Sequence, residues 1–125
     1  MTKLSDAFGP GAIAARVSAG NWREAVAAAG ELLVASNRVS GAYTAEMIAA
    51  VEQFGPYIVI APGIALAHAR TGDAVLETGL ALAQLADPIE FGSEHNDPVS
   101  LVFALAAVDH DAHIEVMSQL ASLLT

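Results

Sequence analysis

The chain has 125 residues, the size of one domain, and its 54 % apolar and 15 % charged composition supports a core and excludes disorder. Fourteen acids against five bases, a net charge of −9, remove the basic footprint that nucleic-acid binding needs, and the absence of cysteine excludes disulfides, thiolate nucleophiles and cysteine-ligated zinc. The longest uncharged run, Gln53 to Ala67, is broken by Gly55, Pro56, Pro62 and Gly63, so no membrane insertion is expected, and the N-terminus has no basic-then-apolar signal pattern.

The expectation is one cytoplasmic domain over residues 1–125. The stretch from Thr2 to Gly11 has little pattern, with room for a short helix. Ile13, Ala15 and Val17 alternate as in a strand. Asn21, followed three residues on by Glu24, opens a helix in capping-box fashion. Its inward face is Trp22, Ala25, Val26, Ala29, Leu32 and Leu33, and it ends near Ser36 and Asn37. Thr44 is placed to cap a second helix that turns Met47, Ile48, Val51 and Phe54 inward and stops at Gly55-Pro56.

Tyr57 to Ala61 reads as a short buried strand, Pro62-Gly63 as a break, and Ile64 to Ala69 as a further extended segment of small residues. Val75 to Ala83 and Pro98 to Val108 are strand segments, with Leu80 to Leu85 compatible with helix as well. Asp87-Pro88 and Gly92 to Asp97 read as turns. Asp109 caps a closing helix with His113, Val116, Met117, Leu120 and Leu124 inward. Interleaved helices and strands make the class α/β, a mixed sheet flanked by helices on both faces.

Phosphate-cradling glycine loops, G-x-S-x-G elbows and H-E-x-x-H zinc helices are all absent, and Lys3 is the only lysine. Chemistry therefore rests on His68, His95, His110 and His113. His68 follows a proline-glycine break among Ala65, Ala67 and Ala69, where another molecule can approach a neutral imidazole nitrogen. A structural histidine at a strand end is the alternative. His113 shares the apolar stripe of the last helix; periodicity favours a core role, while the helix start favours a neutral, hydrogen-bond-donating ring. His110 and Asp111 face water, and His95 sits in a polar turn. His95, His110 and Asp111 are a conceivable metal-ligand set whose geometry nothing in the sequence fixes, and the expectation is neither metal nor cofactor.

The run from Gly55 through Tyr57-Ile58-Val59-Ile60-Ala61-Pro62-Gly63 to His68-Ala69-Arg70 resembles the active-site segment of enzyme IIA components of the bacterial sugar phosphotransferase system. It is most similar to the ascorbate-specific branch of the mannitol/fructose class. Asn96-Asp97-Pro98-Val99 and the helix start bearing His113 extend the likeness over nearly the whole chain.

The resemblance implies an EIIA type-2 domain whose His68 accepts a phosphoryl group from the phosphocarrier HPr and passes it to a IIB component. It also implies that His113 supports the acceptor. Two positions depart from the family pattern. Ala67 stands where a proline is usual, and Glu52-Gln53 where the wider class has an arginine; Arg70 is the residue expected to supply positive charge in its place. A regulatory module, in which phosphorylation of His68 controls binding to a target protein, fits the same residues. Residue patterns leave open which sugar is carried and whether the chain forms a homodimer.

Overall fold

The computed structural model describes residues 7–124. Along them run β1 (Phe8–Val17), α1 (Trp22–Ala35), α2 (Ala42–Phe54), β2 (Val59–Ala61), β3 (Ile64–His68), β4 (Gly79–Ile89), β5 (Val99–Ala106) and α3 (His110–Leu124). The five strands form one mixed sheet in the order β1-β4-β5-β3-β2. β1 runs parallel to β4 and β3 parallel to β5, while β4/β5 and β2/β3 are antiparallel.

Strand side chains alternate between faces, and the sequence gives the two faces different sizes. Ala65, Ala67, Ala81, Ala83, Ala104 and Ala106 line one face, where their small side chains admit the buried stripes of α1 and α2. Leu66, Leu80, Phe103 and Leu105 line the other, packed by Val116 and Leu120 of α3. Helices thus cover both faces of a mixed sheet, the architecture expected from the residues.

The cap of α1 forms as its sequence predicts. The Asn21 side chain accepts the Glu24 N–H at 3.0 Å, and the Glu24 carboxylate reaches back to the N–H of Gly20 at 3.0 Å. Asp109 caps α3 through the Ala112 N–H at 2.8 Å. In the turn Gly92 to Asp97, the Asp97 carboxylate accepts the N–H groups of Phe91, Gly92 and Ser93. The neighbouring Asn96 carbonyl takes the Gly63 N–H at 2.9 Å, so this turn anchors the β2–β3 connection.

Several boundaries differ from expectation. Helix α2 starts at Ala42 with Gly41 as its cap position, not at Thr44. Thr44 is drawn inside because α1 crosses there at Gly30; a Cβ on Gly30 would lie 2.5 Å from the Thr44 Oγ1. Phe54 is 64 % exposed rather than inward: it is the last residue of α2, and its ring meets the exposed Tyr57 instead of the core. The strand expected over Tyr57 to Ala61 narrows to β2, with Tyr57 and Ile60 exposed, since β2 is an edge strand paired only with β3.

Leu80 to Leu85 is strand, and β4 begins at Gly79 rather than Val75. Asp87-Pro88 is no turn but part of β4, tolerated where the β4–β5 register is interrupted between Gln84 and Ile89. The short helix anticipated within Thr2 to Gly11 falls largely outside the described residues, as does Lys3, and Phe8 to Gly11 belong to β1. The Leu124 side chain, expected inward, also falls outside them.

Candidate functional site

β3 and β5 are parallel neighbours, with His68 opposite Leu105 at their carboxyl ends. His68 has the same parity as Leu66 and so emerges on the α3 face of the sheet. On α3, His113 stands one turn before Val116 and Met117, the residues that dock the helix on that face. The two histidines therefore meet above the strand ends, with ring centroids 5.6 Å apart and planes at 62°. His113 is partly buried as the periodicity predicts, but its ring lines a groove rather than filling the core.

The groove has a volume of about 670 Å³ and opens between the end of α2, the exit of β3 and the start of α3. Besides the two histidines it is lined by Tyr57, Arg70, His110 and Glu46. Exposed Arg70 thus shares the groove with the histidines, and so does Gln53 from the Glu52-Gln53 position. Glu52 itself turns to α1, pairing with Arg23 at 3.0 Å. His110 is exposed, as expected, yet it belongs to the rim. His95 does not. It lies in the turn before β5 while His110 follows that strand, and an eight-residue strand spans about 25 Å, so the two cannot share a metal ion. Among the described residues no three metal-ligating side chains converge.

His68 Nδ1 lies 3.0 Å from the carbonyl oxygen of Leu66. A carbonyl only accepts, so Nδ1 carries the proton and Nε2 keeps its lone pair. The edge-on ring of Tyr57, 5.6 Å away, buttresses the imidazole, and Tyr57 in turn meets Phe54 at 6.3 Å. Burial raises the Tyr57 phenol above its ordinary range. Burial, followed by the neighbouring charges of His68 and His110, lowers the pKa of His113 from 6.5. His113 is therefore neutral at physiological pH and offers one N–H. The arrangement pairs a tautomerically fixed nucleophile with a neutral donor, open to an incoming group.

Tyr43 is the residue that the sequence pattern did not single out. Its hydroxyl donates to the Leu105 carbonyl at 2.7 Å and accepts the Ala69 N–H at 3.0 Å. Burial pushes its pKa up to about 12. Tyr43 continues the Met47 and Val51 stripe one turn earlier, a signal hidden by starting the helix at Thr44.

Comparison with known proteins gives a consistent picture. Residues 7–125 match the family model for the phosphoenolpyruvate-dependent sugar phosphotransferase system, EIIA 2. The chain is 44 % identical over 115 residues to the ascorbate-specific PTS system EIIA component of Salmonella typhimurium, covering 91 % of this chain and 75 % of that one. The solution structure of the mannitol-specific cryptic phosphotransferase enzyme IIA CmtB from Escherichia coli superposes with a TM-score of 0.87 at 33 % identity, over 98 % of this chain and 83 % of that one. A complex of mannitol enzyme IIA with phosphorylated enzyme IIB from Escherichia coli gives a TM-score of 0.81 at 28 % identity, over 94 % and 81 % of the two chains.

Proposed function

The chain belongs to the EIIA 2 family of the phosphoenolpyruvate-dependent sugar phosphotransferase system, and from that premise we propose that it is a cytoplasmic phosphocarrier that takes a phosphoryl group from HPr on His68 and hands it to a IIB component. The observation that carries this reading is the pairing of His68, its Nε2 left as the free nitrogen, with a neutral His113 in an open groove.

In the first step the Nε2 lone pair attacks the phosphorus of the donor's phosphohistidine. The new N–P bond forms as the old one breaks, and the electron pair returns to the donor imidazole. The His68 ring gains positive charge, which its Nδ1–H shares with the Leu66 carbonyl. The His113 N–H stabilises the charged phosphoryl oxygens in flight, and Arg70 supplies the cation at the groove's mouth. The second step repeats the first in the other direction, with the acceptor atom of IIB as nucleophile. No metal ion is needed when the donor is already a phosphoprotein. Likeness to an ascorbate-specific component favours an ascorbate-like sugar as the final acceptor.

The test is two-stage transfer. The protein incubated with phosphorylated HPr should become labelled, and adding the IIB component of an ascorbate-type permease should discharge the label within seconds to minutes. Labelling that no IIB protein discharges would instead favour a regulatory module whose phosphorylation governs binding to a target.

A further inference from the structure

His68 and His113 sit on different elements, so their spacing depends on how the exit of β3 is held against the junction of β5 with α3. In a parallel ladder the strands take turns as donor. The bond from the Leu101 N–H to the Gly63 carbonyl sets the phase, so that at every second rung the residue after it on β3 donates to the facing carbonyl of β5. For the pair His68–Leu105 that donor is Ala69 and that acceptor is the Leu105 carbonyl. Here the hydroxyl of Tyr43 takes the Ala69 N–H at 3.0 Å and itself donates to Leu105 at 2.7 Å. It lies 3.2 Å from the Ala69 carbonyl as well. A phenol from α2, 1 % exposed, is thus inserted between two strands at the point where they carry the site. A second hydroxyl extends the seam: Thr71 Oγ1 donates to the Ala107 carbonyl at 2.8 Å, tying the β3 exit to the turn that begins α3.

We propose that Tyr43 is a positioning residue whose hydroxyl, bonded to both strands at once and assisted by Thr71, fixes the exit of β3 against the end of β5 and so sets the distance between His68 and His113. The ring fills the core in either case; the hydroxyl alone makes the polar link between the Ala69 N–H and the Leu105 carbonyl. Without it, the Ala69 N–H and the Leu105 carbonyl lose their shared partner, and the exit of β3 that carries His68 is free to shift relative to His113. The inference rests on the phosphocarrier reading only for its consequence in transfer; the geometry itself is independent of that reading.

The experiment compares wild type with Tyr43→Phe and Thr71→Val by two readouts. One is the titration of His113 followed by imidazole nitrogen NMR, which responds to its burial in the groove and to the nearness of His68. The other is single-turnover transfer from phosphorylated HPr. If Tyr43 positions the pair, Tyr43→Phe raises the titration midpoint of His113 toward its ordinary value and slows transfer about tenfold or more, with the donor concentration for half-maximal rate unchanged. Thr71→Val, at an exposed position where folding is not at stake, shifts both readouts in the same direction by less. It decides the matter should Tyr43→Phe fail to fold.

An unchanged His113 titration and unchanged transfer in a folded Tyr43→Phe protein would overturn the proposal, as would unchanged readouts in Thr71→Val if only that variant folds. A shifted titration with no transfer in any protein, wild type included, would sink the phosphocarrier reading while leaving the positioning role standing.

Discussion

At the scale of single residues, the site assigns different work to two imidazoles that composition cannot tell apart. His68 is fixed by the Leu66 carbonyl, while His113 is kept neutral by burial and by its histidine neighbours. His113→Gln, which keeps a donor but not the ring's position, should lower single-turnover transfer by roughly 10²–10³, the usual loss on removing one charge-stabilising donor. A normal rate with a lowered Tm would return His113 to a packing role. The lowered pKa also has a consequence for stability. The unfolded chain binds a proton at His113 near pH 6.5, before the folded chain does, so stability attributable to this group is complete above that pH and is lost as pH falls through its lower folded value. Melting curves taken from roughly pH 8 down to pH 5 should therefore show a decline that is shallower in His113→Gln than in wild type.

Among the elements, the helices were the more legible. Capping at Asn21 and Asp109 and the stop at Gly55 are local signals, set by side chains within four residues of the helix end, and each forms as read. The β segments and the start of α2 depend on distant partners. Thr44 looks like a cap until Gly30 of α1 draws it inside, and Pro88 looks like a turn until β5 interrupts its pairing beside it. The same long-range logic hid Tyr43, whose partners Ala69 and Leu105 lie 26 and 62 residues away.

The alanine face of the sheet gives a prediction at this scale. Ala81→Leu or Ala104→Leu overfills the space beneath α1 and α2 and should destabilise by about 1–3 kcal/mol. Leu120→Ala opens a cavity under α3 and should cost about 2–5 kcal/mol. Denaturant titrations check both, and near-neutral alanine-face variants would mean that the helices do not pack as closely as described.

For the whole molecule, the net charge of −9 acts alongside the local geometry. The groove's lining mixes the exposed ring of Tyr57 and the small side chains of Ala49 and Ala50 with the exposed carboxylate of Glu46. Such a surface suits a partner that presents basic groups around its phosphorylated residue. Phosphotransfer under subsaturating HPr should slow about tenfold or more from low to physiological salt, and a flat profile would reduce the charge to a role in solubility. Global class and family were legible because the motif from Gly55 to Arg70 is long and the helix–strand alternation is regular. The meeting of His68 with His113 could be inferred only through resemblance, because strand order decides it.

The central claim is that His68 is the acceptor, and the most direct measurement is to label the protein with phosphorylated HPr and map the phosphate by peptide analysis. The account predicts an acid-labile, alkali-stable phosphoramidate on His68, absent in a folded His68→Ala protein. Label on His95 or His110, or none on a folded wild-type chain, would contradict it.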